Sequence, residues 1–553
     1  MTLLRRLAPR PRAATHLIAL TLALTLGLAP APAGQSLAWA QTPARNPIDH
    51  LPRLGDPSGE ELSPQAERQL GESIMRQIRR DPAYLDDAEA VDFLTRFVEP
   101  LLATPAAAGQ RFQFFLVDDA SINAFALPGG FIGVHAGLIA SAQSESELAS
   151  VLAHEIAHVT QRHVVRMLAQ QRRSSVLSMA AMALALLAAR SNPQAAMGGM
   201  MLGDHVMRTS ALSFSRDAER EADRLGLEML RQAGFEPQGM SDFFNRLQQA
   251  MRVYDNQAPV YLRTHPLTTE RIADIEARLP ERKGLVQADS LEFGLLQARL
   301  QATLDSTGAG RQRSREQAEL AVRGVLKPAE PVTRDQSAVK AWFGLASIAL
   351  AQGDVARMGE ALTQARSALR VVSEATSGGV PGSATGFAAE TASGDKAGTD
   401  HPWFARLQAA ARLQSGDASG ALAILRQALS RFPGQRALVR LQAQALMALP
   451  DTALAIGALE EATRTWPQDD ALWLMLSQAY EQQGLRARAH RAAAERFVLL
   501  GAYLAAADQL RRAQRAADPD FYTASMIDAR LRELEPAARR ELEESRQTGR
   551  NPY

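Results

Sequence analysis

The stretch VLAHEIAHVT, residues 151–160, decides how the rest of the sequence is interpreted. It places His154 and His158 four positions apart, with Glu155 directly after the first histidine. Residues 145–172 contain neither glycine nor proline and carry apolar residues at helical spacing, which predicts one helix. Four residues make just over one helical turn, so both imidazoles point towards the same place. Glu155 lies beside them, where it could reach a water molecule on a metal without binding the metal itself.

The residues around these histidines favour a metal over an ordinary helix. Val151, Leu152, Ile156 and Val159 belong to a set that makes this helix apolar on nearly every side, which predicts that it is buried. Buried imidazoles and a buried carboxylate are costly without a partner, and a metal supplies one. The alternative is a helix whose histidines are hydrogen-bonded by their neighbours.

A catalytic zinc usually takes three protein ligands, so a third must come from elsewhere in the chain. The sequence contains no cysteine, which leaves histidines and carboxylates as ligands and excludes a thiolate nucleophile or a disulfide framework. The segment SFSRDAEREADRLGLEML, residues 213–230, offers Glu219, Glu221 and Asp223 at the start of a second amphipathic helix. Glu219 and Asp223 share a face, so one could bind the metal while the other orients a ligand histidine. The alternative is a solvated charged face.

Taken together, HEIAH and SRDAEREADRLG are similar to motifs of the M48 family of zinc metalloproteases. Residues 122–139, INAFALPGGFIGVHAGLI, resemble that family's strand and turn before the metal helix. Residues 263–272, RTHPLTTERI, resemble its downstream His-Pro segment. The resemblance implies a zincin-like α+β metalloprotease domain within a mainly α protein, with one zinc ion per chain.

The resemblance also implies roles for individual residues. The zinc ligands would be His154, His158 and Glu219, with Glu155 as general base and Asp223 as the partner of a ligand histidine. His265 would fill the fourth zinc position and act as an inhibitory switch, or it would stabilise the tetrahedral intermediate; the sequence leaves both open. Arg271 would support the site.

The amino-acid pattern of residues 122–139 also supports a prediction without the family resemblance. The run FIGVHAGLI is β-prone, and LPGG before it is typical of a turn. An edge strand beside the metal would align an extended or unfolded peptide by backbone pairing. The alternative is a simple hairpin that supports the metal helix.

The first forty residues predict export. Four arginines precede an apolar run at residues 17–29 and an AWA segment, which indicates a signal peptide cleaved after Ala40. The alternative, a membrane anchor, needs about 20 apolar residues. Lys plus Arg total 61 against 60 for Asp plus Glu, and a net charge of +1 is too small to attract nucleic acid.

A second apolar segment lies between the two metal motifs, at residues 174–203. Its apolar core, residues 176–189, is too short to span a bilayer. By resemblance it would be a shortened counterpart of a membrane helix that covers the site as a lid or contacts a membrane peripherally; the alternative is a buried core helix. His135, His163 and His205 fit no ligand pattern and are predicted to be structural.

The chain is predicted to divide into a protease domain at residues 41–325, a first helical repeat at 326–372, a linker at 373–400 and further repeats at 401–553. The linker is rich in Gly, Ser, Thr and Ala. Beyond it, Gly416, Pro450 and Gly484 recur every 34 residues, which resembles the tetratricopeptide repeat and its solenoid.

This organisation leads to one main functional expectation and two alternatives. The main one, which rests on resemblance, is a periplasmic zinc endopeptidase and chaperone that degrades misassembled outer-membrane β-barrel proteins. Its repeats would dock the client or the barrel assembly machinery. The alternatives are a scaffold in which proteolysis is minor, and a metal-free helical interaction protein.

Overall fold

Helices make up most of the described chain, with one small sheet beside the helix that carries HEIAH. The computed structural model describes residues 62–170, 215–253, 260–279, 289–304, 316, 319–320, 336–377 and 401–548. The predicted signal peptide, the apolar segment 174–203 and His205 lie outside these residues. The prediction of a mainly α protein with a small β-element is confirmed.

The elements up to residue 304 contain both the sheet and the HEIAH helix. The strands are β1 (Tyr84–Leu85), β2 (Gln113–Val117), β3 (Ala124–Leu127) and β4 (Phe131–His135). The helices are α1 (Pro64–Ile78), α2 (Ala88–Leu102), α3 (Ala136–Ser141), α4 (Glu145–Thr160), α5 (His163–Gln170), α6 (Arg216–Ala233), α7 (Gln238–Val253), α8 (Val260–Thr264), α9 (Thr269–Arg278) and α10 (Leu291–Thr303).

The sheet has the order β1-β2-β4-β3, which places β3 at an edge. β2 and β4 are parallel, whereas β3 and β4 form an antiparallel hairpin. The LPGG turn joins them, with Gly129 and Gly130 at φ of 78° and 84°, values that favour glycine. The β-prone run forms a strand only as far as His135 and continues as helix α3. In that helix Gly137 packs so closely on the carbonyl of Ala120 that a Cβ would overlap that oxygen.

Helix α4 runs through the middle of this part of the structure. Ser144 caps it by accepting a hydrogen bond from the backbone N–H of Glu147. It packs against α6, α7 and β3, which buries it on all sides from Glu147 to Val159. Gly226 on α6 lies at the crossing, where a Cβ would lie 3.2 Å from the backbone nitrogen of His154. The missing side chain lets α6 approach the HEIAH motif closely.

The prediction of one helix over residues 145–172 is wrong. Helix α4 ends at Thr160 and α5 begins at His163. Between them, Arg162 adopts φ of 52°, in the left-handed region that side chains rarely occupy. Its side chain bonds to Glu67 at 3.0 Å and to the carbonyl of Leu62, so tertiary contacts hold this turn.

The rest of the described chain is helical. These helices are α11 (Ser337–Ala351), α12 (Val355–Ser377), α13 (Pro402–Gln414), α14 (Ala418–Arg431), α15 (Arg436–Met447), α16 (Ala453–Thr465), α17 (Asp470–Gln482), α18 (Arg486–Leu499), α19 (Tyr503–Arg515) and α20 (Phe521–Thr548). Gly416 and Gly484 end helices in the left-handed conformation. The assignment of tetratricopeptide repeats and the domain boundaries stay predictions.

The hydrophobic core continues from the sheet and α4 through α10 into the tail. One cluster of buried side chains includes Leu152, Phe293, Phe343 and Trp403. Helix α12 extends to Ser377, five residues into the predicted linker; the remainder of that linker lies outside the described residues. None of the helices in the described ranges combines the length and apolar character that crossing a bilayer requires.

Candidate metal centre

Four buried side chains from three segments of the chain form a cluster on one face of α4. His154 and His158 come from α4, Glu219 from α6, and His265 from the residue after α8, and none is more than 1% exposed. One nitrogen or oxygen of each lies within 4.8 Å of the others. The Nε2 atoms of His154 and His158 are 3.0 Å apart. His265 Nδ1 lies 3.3 Å from His154 Nε2 and 3.1 Å from Glu219 Oε1.

These separations fit a tetrahedral zinc ion. A tetrahedron with zinc-to-nitrogen distances of about 2.0 Å has edges of about 3.3 Å. Two further edges also agree, since Glu219 Oε2 lies 3.5 Å from His154 Nε2 and Glu219 Oε1 lies 3.4 Å from His158 Nε2. Imidazole nitrogen and carboxylate oxygen are donors that zinc accepts. The four side chains could therefore hold one zinc ion.

Glu155 adjoins this cluster with its carboxylate fully buried. Its Oε1 lies 3.4 Å from Nε2 of His265. Among the described residues, neither oxygen has a hydrogen bond of normal geometry. Burial raises the pKa of Glu155, and His265, His154 and the backbone N–H of Ala126 on β3 oppose that rise. A carboxylate of raised pKa beside a metal cluster is suited to take up and return a proton.

Asp223 and Arg271 surround the outer side of the cluster. Asp223 Oδ1 lies 3.0 Å from Nδ1 of His154. Arg271 donates to both oxygens of Asp223 at 2.7 Å, and its Nη1 lies 2.6 Å from Glu219 Oε2. Burial alone would raise the pKa of Asp223, but the hydrogen bonds from Arg271 and His154 lower it. An ionised Asp223 accepts from Nδ1 of His154 and leaves Nε2 to face the metal.

The charges in the cluster stabilise one another. Burial would lower the pKa of His154, but hydrogen bonds to Asp223 and Glu219 raise it to about 9. Burial would raise the pKa of Glu219, but the rings of His265, His154 and His158 lower it. A buried site of this kind is stable when each charge has a partner of opposite sign.

Two neighbours of the cluster were not predicted. His163, predicted to be structural, has its Nδ1 2.9 Å from His158 Nδ1, a contact that no ligand pattern in the sequence indicated. Tyr261 stacks on His265 with ring centroids 4.6 Å apart. Glu221, one of the three candidate carboxylates, lies 3.1 Å from His163 Nε2. The only sequence signals were the spacings, Tyr261 four residues before His265 and His163 five after His158.

The geometry of this site is typical of one class of enzyme. A helix with two histidines and a glutamate, completed by a carboxylate from a second helix, is the arrangement of zinc metallopeptidases. Residues 92–279 match peptidase family M48. The chain therefore carries an M48 peptidase domain, which includes all the cluster residues.

Comparison with known proteins gives the same assignment. The chain is 36% identical over 265 residues to the beta-barrel assembly-enhancing protease of Escherichia coli, covering 48% of this chain and 54% of that protein. It is 35% identical over 261 residues to the same-named protein of Yersinia pestis, covering 47% and 54%. It is 31% identical over 189 residues to the mitochondrial metalloendopeptidase OMA1 of Schizosaccharomyces pombe, covering 34% and 53%. The chain thus matches about half the length of these relatives.

Proposed function

We propose that this chain is a zinc-dependent endopeptidase of the periplasm that acts in the assembly and quality control of outer-membrane proteins. The observation that carries the proposal is the buried cluster of His154, His158, Glu219 and His265 with Glu155 beside it. A purely structural zinc site would not need a carboxylate at that position.

The residues of the site have separate roles in peptide hydrolysis. His154, His158 and Glu219 would hold the metal. When bound, zinc lowers the pKa of water and polarises a carbonyl. Glu155 takes the proton from the attacking water and delivers it to the leaving nitrogen. Asp223 keeps His154 in the tautomer that presents Nε2 to the metal, and Arg271 holds Asp223 in place.

Strand β3 supplies a surface for the substrate. The backbone N–H of His135 donates to the carbonyl of Asn123 at 3.0 Å, so Ala124 and Ala126 direct their backbone groups away from β4. Ala126 is also the β3 residue whose N–H faces Glu155. A peptide added to this edge would lie beside the general base. Backbone pairing selects extended or unfolded segments and little sequence.

On this proposal His265 closes the site at rest. It would be the fourth protein ligand of the zinc ion, and four protein ligands satisfy a tetrahedral zinc without a place for water. Tyr261 holds its ring by stacking. On this proposal His265 must leave before cleavage, so His265→Ala should raise the rate of peptide cleavage. A fall in that rate would show instead that His265 stabilises the transition state.

The substrates and partners are proposed from the relatives. Those from Escherichia coli and Yersinia pestis are named for enhancing β-barrel assembly. We propose that misassembled outer-membrane proteins are the substrates, and that the helical tail docks these clients or the barrel assembly machinery. The predicted signal peptide supports a periplasmic location.

Glu155→Gln tests the proposal, because it removes the base and keeps the shape of the side chain. We expect loss of cleavage of an unfolded β-barrel protein, with zinc content unchanged at about one per chain. The exposed Glu228→Gln serves as the control and should cleave normally. Full function of Glu155→Gln in cells would favour a scaffold instead, and absence of zinc from the wild-type protein would refute the metalloenzyme.

A further inference from the structure

His158 is also contacted by a row of side chains on the side of its ring away from the metal cluster. His158 Nδ1 faces Nδ1 of His163 at 2.9 Å. The other ring nitrogen of His163 lies 3.1 Å from Glu221 Oε2. Arg166 donates to the same oxygen at 3.3 Å. The row therefore runs from a buried histidine of the cluster to a carboxylate whose side chain is 34% exposed.

When a metal is bound, only one placement of the protons satisfies the hydrogen bonds from His158 to Glu221. An ionised Glu221 can only accept, so Nε2 of His163 carries a proton. Between the two Nδ1 atoms one must donate and the other accept. A metal on Nε2 of His158 needs the lone pair there, which leaves the proton on Nδ1 of His158. His163 must then accept through its unprotonated Nδ1.

The fold builds this arrangement by an unusual turn. An uninterrupted helix would continue along the axis of α4 after Thr160. The left-handed Arg162 ends α4 and starts α5 at His163, and the rings of His158 and His163 then lie with centroids 4.9 Å apart. A non-glycine residue at this φ costs free energy, so surrounding contacts must hold it.

We propose that His163 is a positioning residue that fixes the tautomer and ring orientation of His158, and that Glu221 anchors His163. The proposal rests on the zinc site of the proposed function. It gives the second histidine of HEIAH the same kind of support that Asp223 gives the first. Glu221 thereby takes a role separate from that of Glu219.

Zinc affinity tests this role without depending on proteolysis. Competition with a chromophoric chelator gives the dissociation constant for full-length wild type and variants. We expect His163→Phe, which keeps a ring and removes the acceptor, to weaken zinc binding about 10- to 100-fold. His163→Gln, whose side-chain carbonyl can accept from His158, should restore most of the affinity. The visible spectrum of the cobalt-substituted protein should change in His163→Phe and return towards wild type in His163→Gln.

His135→Phe is the matched control. His135 is 2% exposed and bonds to Ser121 and Asn123, so its replacement should disturb packing and leave zinc affinity unchanged. Wild-type zinc affinity and cobalt spectrum in His163→Phe would overturn the proposal.

Glu221→Ala provides a second test at a partly exposed position. It should weaken zinc binding less than His163→Phe, and an unchanged affinity would overturn the anchoring role. If His163→Phe does not fold, His163→Gln and Glu221→Ala test the proposal instead. His163→Ala then serves as the comparison, because its side chain cannot accept a hydrogen bond. An equal loss of zinc affinity in His163→Gln and His163→Ala would contradict the tautomer argument. Failure of wild type to bind zinc would refute the proposed function and, with it, the zinc site on which the role of His163 rests. Zinc binding by wild type with the same affinity in His163→Phe would refute the role of His163 alone.

Discussion

Replacing Arg271 by alanine tests whether one guanidinium holds the two carboxylates beside the metal ligands. Arg271 is 3% exposed and donates to both oxygens of Asp223 at 2.7 Å. Its Nη1 also lies 2.6 Å from Glu219 Oε2. The substitution removes the positive charge and leaves two buried acids next to each other on one face of α6.

The expected cost follows from these contacts. Breaking a buried ion pair by removing one partner costs about 3–5 kcal/mol. Protonation sets an upper limit, because Asp223 can bind a proton instead of staying charged. From its ordinary pKa of 3.8, this costs about 4 kcal/mol at neutral pH, at about 1.4 kcal/mol for each pH unit. We therefore expect Arg271→Ala to lower the opening free energy of the metal-free site by about 3–4 kcal/mol.

Hydrogen exchange of the backbone amides of α4 and α6 measures that free energy locally, without assuming two-state unfolding of so large a chain. Arg278→Ala is the control, because Arg278 lies on α9, the helix that also carries Arg271. Arg278 is 47% exposed and pairs with Asp274, so its loss should leave the exchange of α4 and α6 unchanged. Added zinc should reduce the penalty of Arg271→Ala, because the metal then neutralises Glu219. Equal exchange rates in Arg271→Ala and Arg278→Ala would refute the reasoning.

Two further predictions concern the frame around the site. Burial alone would raise the pKa of Asp87, but Arg299, which bonds both its oxygens, lowers it from 3.8 to about 2. Asp87→Asn should therefore cost about 2 kcal/mol at neutral pH, and the difference from wild type should disappear as the pH falls from 3.8 towards 2, as urea unfolding at each pH would show. A constant difference at all pH values would contradict this. Gly226→Val should push α6 away from His154 and weaken zinc binding without removing a ligand, whereas Gly359→Ala, where a Cβ meets nothing within 4 Å, should leave zinc affinity unchanged.

The sequence predicted those parts of the site that depend on local periodicity. His154, Glu155 and His158 occupy one buried helix, and Glu219 and Asp223 one face of a second, because helical spacing determines both arrangements. The place of His265 beside them came from the resemblance, since residues more than a hundred positions apart have no periodic relation.

What the sequence did not predict depends on tertiary contacts. The break after α4 requires a left-handed Arg162, a conformation that Glu67 and the carbonyl of Leu62 stabilise from a distant part of the chain. The contact between His163 and His158 follows from that break. The close packing of Gly137 on Ala120, just after the strand ends at His135, is also a tertiary contact that no propensity of the run FIGVHAGLI indicates.

The continuous core has a consequence for how this protein can be cut and recombined. Phe343 and Phe404, from α11 and α13, lie with ring centroids 5.5 Å apart and belong to the same buried cluster as Leu152 beside the metal ligands. A fragment that stops near residue 325 would expose the apolar surface that these helices cover. A chimaera that exchanges tails between relatives should therefore keep α11 to α13 with the peptidase part, since the two share one interior.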